Sequence, residues 1–211
     1  MKTSNSVKRI SFSALKNWKE CPYRHKLIYV DEVPYFSGNE FTAFGTAIHE
    51  VCEKIIPDTP EFAIKIFKTA FDRELEVLKT QNKKINDQLV EEMNNQAIPI
   101  CNQVLPAVKK HFGNFKVVSV EEQILEPIDE FDSYGTSFKG YIDMIIKTQD
   151  DKYHIIDWKT CSWGWSRDKK SDPMTSYQLT YYKNYFAKKH NINPKHIETY
   201  FVLLKRTSKK D

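Results

Sequence analysis

Residues 138 to 159 carry the strongest fold signal in this sequence and read FKGYIDMII, KTQDDK, YHIIDWK. Its two apolar segments, 138–146 and 153–159, are rich in β-branched and aromatic residues, which is typical of strands. The connection between them, residues 147–152, is short and polar. We therefore expect the two strands to pair as an antiparallel hairpin.

Strand geometry also predicts which side chains of this hairpin lie together. Successive residues of a strand point to opposite faces of the sheet. In the second strand Asp157 and Lys159 share a face, and in the first Asp143 shares a face with Tyr141 and Ile145. Pairing of the two strands is expected to bring Asp143 beside Asp157.

Both acids interrupt apolar runs that are predicted to be buried. For Asp157 and Lys159 alone, a surface ion pair worth about 0–1 kcal/mol is the simplest interpretation. Buried carboxylates, however, repel each other and raise each other's pKa, and charges are rarely buried without a partner. A divalent cation would remove this conflict. Two acids and a lysine around a metal are typical of phosphodiester hydrolysis.

The N-terminal half of the chain is predicted to be helical. Helix signals cover residues 11–21, 22–29, 41–56, 59–79 and 86–112. Ser11 or Ser13 is the expected N-cap of the first helix. Pro99 and Pro106 are expected to kink or break the last. A loop is predicted over 31–39 because it contains proline and glycine.

The C-terminal half is predicted to consist mainly of strands. The strands are expected over residues 116–126, 136–147, 152–160 and 197–205. Asp172 is the expected N-cap of a helix to about residue 189, with Pro173 at its first position. The fold class is α/β, with a helical N-terminal half and a central mixed β-sheet flanked by helices.

The domain organisation follows from this order of elements. We expect a single domain over 1–211, in which residues 10–112 wall a groove and residues 113–206 form the catalytic sheet. The active site is expected at one edge of the sheet. The sequence does not decide whether the chain is complete or a fragment.

Composition sets outer limits on function. The 211 residues are 40% hydrophobic and 28% charged, and the net charge of +4 permits nucleic-acid binding without requiring it. No apolar run approaches the roughly 20 residues that span a membrane, and no secretory signal is recognisable, so a cytoplasmic location is expected. The four cysteines are far apart and form no CxxC pair, which favours free thiols over a zinc site.

One connection carries a local excess of basic and aromatic residues. It covers residues 159–170 and reads KTCSWGWSRDKK. Aromatic rings stack on bases, and Lys and Arg side chains bind phosphates. The candidate DNA-binding residues here are Trp163, Trp165, Arg167, Lys169 and Lys170. A solvated loop with one or two buried tryptophans is the alternative interpretation.

Taken in chain order, the short motifs of this sequence resemble the RecB-like branch of the PD-(D/E)xK nucleases. They read SFSAL at 11–15, CPYR at 21–24, GTAIHE at 45–50, GYID at 140–143, DWKT at 157–160 and QLTYY at 178–182. Each motif is weak alone, and the signal comes from their order and spacing. The resemblance covers about residues 10–205.

This resemblance implies roles for individual residues. The implied metal ligands are His49, Asp143, Asp157 and the backbone carbonyl of Trp158. Lys159 would be the catalytic lysine. Without the resemblance, His49 would be interpreted as a structural histidine.

Gln178 and Tyr182 would lie beside the substrate strand, although Tyr182 alone would be interpreted as a core residue. A glutamate often precedes the hairpin in this family, and we choose Glu121 over Glu122, with a role toward a second metal or the DNA. The implied cofactor is Mg²⁺, with Mn²⁺ as the substitute.

An iron–sulfur cluster is not expected. Some RecB-like nucleases hold a cluster with one N-terminal cysteine and three near the C-terminus. Cys21 resembles the first of these, but no cysteine follows Cys161.

The function implied is a metal-dependent DNA nuclease, with exonuclease favoured, acting in recombination, repair or the processing of phage or mobile-element DNA. A flap- or junction-specific endonuclease and a catalytically silent DNA-binding module are the alternatives.

Overall fold

The computed structural model describes residues 8–34, 38–54 and 60–207, without the side chains of 60, 61 and 131–133. Its helices are α1 (Phe12–Glu20), α2 (Pro22–His25), which continues as a π-helical turn (Lys26–Val30), α3 (Glu40–Lys54), α4 (Pro60–Thr80), α5 (Asp87–Phe112), α6 (Arg167–Ser171) and α7 (Pro173–His190). Its strands are β1 (Lys8–Ile10), β2 (Phe115–Pro127), β3 (Thr136–Thr148), β4 (Tyr153–Cys161) and β5 (Ile197–Lys205). Short 3₁₀ helices cover Asp129–Tyr134 and Pro194–His196.

Strand β3 lies at the centre of the mixed sheet. Strand β2 pairs with it in antiparallel fashion along nearly its whole length. The opposite edge of β3 is therefore shared by β1, which is parallel, and β4, which is antiparallel. Strand β5 is parallel to β4 and forms the far side of the sheet. The predicted hairpin and the predicted α/β fold class are both confirmed.

Helices cover the two faces of the sheet unequally. On one face α3, α4 and α5 form a large apolar cluster with Met144, Ile156 and Trp158. On the other face α7 forms a smaller cluster with Ile142 and Ile155. Burial of apolar surface on both faces explains why neither strand of the hairpin shows a polar face.

The strict alternation predicted for β3 is wrong around Asp143. Ile142 and Ile145 are three residues apart, yet both belong to the cluster under α7. In the facing strand Glu121 has a left-handed backbone with φ of 47°. The register between β2 and β3 also shifts between Val117 and Ser119, so β2 is irregular beside this part of β3 and strict alternation does not hold.

Several helix ends agree with their sequence signals. The Ser11 side chain caps α1, and Asp172 caps α7 by accepting a hydrogen bond from the Met174 backbone N–H. Helix α5 runs without a break through Pro99 and Pro106, so the predicted break is wrong. Both prolines are exposed, where water can satisfy the carbonyls that they leave without a donor.

Some predicted elements differ from the structure in extent. Helix α6 and strand β1 were not predicted from the sequence. Residues 35–37 of the predicted loop, 55–56 of the predicted helix over 41–56 and residue 59 of the predicted helix over 59–79 lie outside the described residues. Within the described ranges, no helix has both the length and the apolar character needed to cross a bilayer.

Candidate active site

The candidate site lies where β3 and β4 part. Their ladder runs from Lys147 opposite Tyr153 to Met144 opposite Ile156, and Asp143 and Asp157 come next. Both acids are thus on central strands, and the expectation of a site at the sheet edge is wrong. Parallel β1 joins β3 beyond this fork, so the opening is internal to the sheet.

Asp143 takes over part of the ladder at the fork. Its Oδ2 accepts a hydrogen bond of 2.7 Å from the backbone N–H of Trp158. The carboxylate therefore substitutes for a strand carbonyl and fixes the turn of β4 away from β3. Burial raises the pKa of Asp143 to about 6, opposed by the Trp158 hydrogen bond and by Lys159.

Asp157 is a charge held inside the protein, only 1% exposed. Its Oδ1 accepts a hydrogen bond of 3.0 Å from Gln178 Nε2. Its Oδ2 lies 2.5 Å from Lys159 Nζ as an ion pair, but it lacks a well-aligned hydrogen bond. Burial raises the pKa of Asp157 to about 6; Lys159 opposes this shift and the Asp143 charge adds to it.

His49 reaches the acids from helix α3. Its Nδ1 lies 3.7 Å from Asp143 Oδ2. Burial and the Lys159 charge lower its pKa, while the charges of Asp157 and Glu121 act in the opposite direction. Neutral imidazole, with a free lone pair, is therefore favoured. Gly45 lies one turn earlier, where an added Cβ would be 3.3 Å from Thr160 Oγ1, so glycine allows α3 to approach β4 closely.

Gln178 and Tyr182 lie one turn apart on α7. Gln178 Nε2 donates to Asp157 Oδ1 and, at 3.1 Å, to Tyr182 Oη. Tyr182 is only 6% exposed and belongs to the core cluster under α7. Its ring fits because Gly140 lies beneath it, where an added Cβ would be 2.8 Å from Cε1. Tyr182 thus supports Gln178 from below, and Gln178 holds Asp157.

Glu121 and Glu122 face different surroundings. Glu121 lines a cavity of about 650 Å³ together with His49 and Glu53. Glu122 instead pairs with Lys189 at 2.5 Å, at the far end of α7. Adjacent residues of a strand face opposite sides of the sheet, so the two different surroundings agree with simple alternation.

Glu53 belongs to this acidic region and was missed in the sequence. Burial, followed by the charges of Glu121, Glu50 and Asp143, raises its pKa to about 7. Its position four residues after His49, on the same face of α3, is the signal that could have identified it.

A groove of about 630 Å³ opens beside Lys159 and Gln178. Of the basic and aromatic candidates, Trp165 and Lys169 line it. Trp165 packs on Phe201 at a centroid distance of 4.9 Å, and Lys169 Nζ lies 4.6 Å from the Trp165 ring centroid.

The remaining candidates lie elsewhere on the described surface. Trp163, Arg167 and Lys170 are exposed, with Trp163 at 71%, and none of them lines the groove. The structure thus divides the predicted basic and aromatic segment into two groups.

Comparison with known families agrees with this geometry. A family model described as the PD-(D/E)XK nuclease superfamily matches residues 9–211. The chain belongs to the PD-(D/E)XK nuclease superfamily. No curated protein matches the chain. Membership in this superfamily supports nuclease activity on DNA.

PD-(D/E)XK nucleases generally use divalent metals. Within the described ranges, no three His, Cys, Asp or Glu side chains are grouped closely enough to hold an ion as they stand. The donor chemistry nevertheless fits one. Asp157 Oδ2 is a buried oxygen beside the Lys159 cation, and His49 and Asp143 offer a lone pair and a second carboxylate nearby.

Proposed function

We propose that the protein is a metal-dependent deoxyribonuclease whose reaction takes place at the fork between β3 and β4. The observation that carries the proposal is the convergence of Asp143, Asp157 and Lys159, from diverging strands, on one partly open point. Burial of two acids is costly, and buried acids with raised pKa values beside an ammonium group are typical of functional sites.

The proposed ligands of the ion are His49, Asp143, Asp157 and the backbone carbonyl of Trp158, with Glu121 as a more distant candidate. Carboxylate oxygens favour Mg²⁺, and the imidazole makes Mn²⁺ a good substitute. When bound, the ion supplies Lewis-acid chemistry, lowering the pKa of a water and offsetting charge on the phosphate.

The protein groups then have separate tasks. Lys159 lies on the exposed side of Asp157, where its ammonium can orient the attacking water and stabilise charge on the phosphate oxygens. Gln178 fixes the Asp157 carboxylate, and the Trp158 N–H fixes that of Asp143. Water attacks phosphorus in line with the 3′ oxygen, which leaves, so the products carry a 5′-phosphate.

Exonuclease action of the RecB-like type is the finer form of the proposal. The SFSAL and CPYR motifs support it, because they form α1 and α2, and both helices line the groove beside Lys159. The biological setting (recombination, repair or mobile-element processing), the cytoplasmic location and the single-domain organisation remain predictions.

The test uses end-labelled linear and circular DNA, single- and double-stranded, with Mg²⁺ or Mn²⁺. We expect cleavage of linear DNA that is lost in Asp157→Asn and Lys159→Ala and retained in Asp150→Asn, an exposed acid of the hairpin turn. Circular single-stranded DNA should survive, and its cleavage would indicate the endonuclease alternative. Full activity of Asp157→Asn would refute the assignment.

Calorimetric titration separates an enzyme from a silent DNA-binding module. Mg²⁺ or Mn²⁺ should bind the wild-type protein and bind Asp157→Asn more weakly. A protein that shows no metal binding and no cleavage would contradict the proposal.

A further inference from the structure

We infer that the groove beside Lys159 binds single-stranded DNA through a wall built by α1, α2 and the π-helical turn. Arg24 and Lys16 bind phosphates in this wall, and Tyr29 stacks on a base. The inference rests on the proposed function, because it assigns the substrate class and its new contacts to the same site. None of these three residues was a candidate from the sequence.

The position of the groove connects it to the chemistry. Its lining includes Lys159 and Gln178, both of which contact Asp157. Lys16, Arg24 and Tyr29, from α1, α2 and the π-helical turn, line the same groove. A strand lying in the groove therefore passes within reach of the Asp157 carboxylate while it contacts this wall.

The charge of the groove suits a polyanion. The basic residues that line it are Lys16, Arg24, Lys159 and Lys169. Among the described residues that line it, Glu20 is the only acid. The Glu20 carboxylate bonds to the Arg24 guanidinium and lies 3.8 Å from Lys16 Nζ. A phosphate can replace that carboxylate on both cations, since guanidinium binds the two groups with the same geometry.

The aromatic side chains favour a single strand over a duplex. Tyr29 is 38% exposed, its ring stacks on His25 with centroids 5.0 Å apart, and its Oη accepts a hydrogen bond from Asn17 Nδ2. The ring is thus held in place while part of it stays open to the groove. Trp165 lines the same groove. Stacking of side-chain rings on successive bases is typical of single strands, whose unpaired bases can splay out.

The size of the groove leads to the same substrate. Its volume of about 630 Å³ falls within the range of about 300–1,000 Å³ that small-ligand sites occupy. A space of this size suits a few nucleotides of one strand. A duplex would have to open before its scissile strand could lie beside Tyr29.

The test measures binding separately from cleavage. Fluorescence anisotropy of a labelled oligothymidylate and of a duplex of equal length is recorded in chelator at several salt concentrations. The wild-type protein should bind the single strand more tightly. Arg24→Gln should reduce the slope of log affinity against log salt by about 0.7, the value for one lost single-strand phosphate contact.

Variants of Tyr29 and Glu20 test the stacking and the displaced carboxylate. Tyr29→Leu should weaken binding about 5- to 100-fold without changing the salt slope, and Tyr29→Phe should bind like wild type because the ring remains. Glu20→Gln should tighten binding because Arg24 and Lys16 lose their competing partner.

Lys19→Gln is the matched control, because Lys19 is an exposed cation on α1 that does not line the groove. Thermal melting of each variant identifies any loss of folding. Equal effects of Arg24→Gln and Lys19→Gln, or equal affinity for duplex and single strand, would overturn the inference. If Arg24→Gln and Tyr29→Leu cleave DNA and bind it as the wild type does, the groove inference is overturned and the nuclease proposal is unaffected. If the wild-type protein binds DNA as expected but does not cleave it, the nuclease proposal alone is refuted.

Discussion

Replacing Gly140 with alanine should disturb the candidate site from beneath. The added Cβ would lie 2.8 Å from Tyr182 Cε1 and 3.2 Å from Phe138 Cε1. Carbon atoms pack best at about 3.5–4.0 Å, so the Tyr182 ring would have to move by about 1 Å. Because Tyr182 Oη is already 3.1 Å from Gln178 Nε2, such a shift stretches that hydrogen bond beyond useful range.

The expected cost is that of overpacking a buried site. Gly140→Ala should lower the unfolding free energy by about 1–3 kcal/mol, which lowers the melting temperature by roughly 2–12 °C for a chain of this length. Cleavage should fall as well, because Gln178 loses one of its two fixed contacts. Differential scanning calorimetry and cleavage of linear DNA measure the two effects.

A double-mutant cycle makes the reasoning refutable. Tyr182→Leu removes the ring that an alanine at 140 would strike, so the two substitutions should be non-additive. Lys139→Ala, the adjacent residue on β3, is the control and should change stability by less than about 0.5 kcal/mol. Wild-type stability of Gly140→Ala, or additive effects with Tyr182→Leu, would show that Gly140 does not make room for the ring.

Three further outcomes are expected. In the metal-free protein the pKa values of Asp143 and Asp157 are raised to about 6, so the folded state binds protons more tightly than the unfolded state. The unfolding free energy should therefore fall as pH rises from about 4 to 6 and then level off. Thermal melts in chelator should show this fall, and Asp157→Asn should make the pH dependence weaker. Gln178→Leu should cost about 1–3 kcal/mol in urea unfolding, because it leaves Asp157 Oδ1 buried without a donor, while exposed Thr180→Ala should cost little. Pro99→Ala should raise the melting temperature, because it restores a backbone donor inside an unbroken helix, and a fall would contradict that interpretation.

Much of the fold could be predicted because its signals are local. The Asp172 and Pro173 pair predicted the start of α7, and the strand predicted over residues 197–205 is β5 with its observed bounds. Local signals failed where packing decides. Pro99 and Pro106 predicted a break, but the buried face of α5 against α3 and α4 keeps the helix continuous.

The candidate site was less accessible for related reasons. Predicting the faces of a strand from its sequence assumes a regular ladder, and a glutamate at position 121 does not indicate a left-handed backbone. Asp143 and Asp157 could be predicted because acids inside apolar runs are rare. The roles of Arg24 and Tyr29 could not be predicted, because only the packing of α1 and α2 beside β4 and α7 brings them into the same groove as Lys159.

The hydrogen bond from the Trp158 N–H to Asp143 gives this acid a structural role in addition to its proposed chemical one, because it extends the contact between β3 and β4. Asp143→Ala would leave that amide without an acceptor, so loss of activity in this variant could come from lost chemistry or from a changed structure. Asp143→Asn keeps an acceptor at this position and separates the two effects. For the same reason, descendants of this chain that abandoned catalysis would still be under pressure to keep an oxygen-bearing side chain at that position. An aspartate retained at position 143 is therefore weak evidence of enzymatic activity when it stands alone.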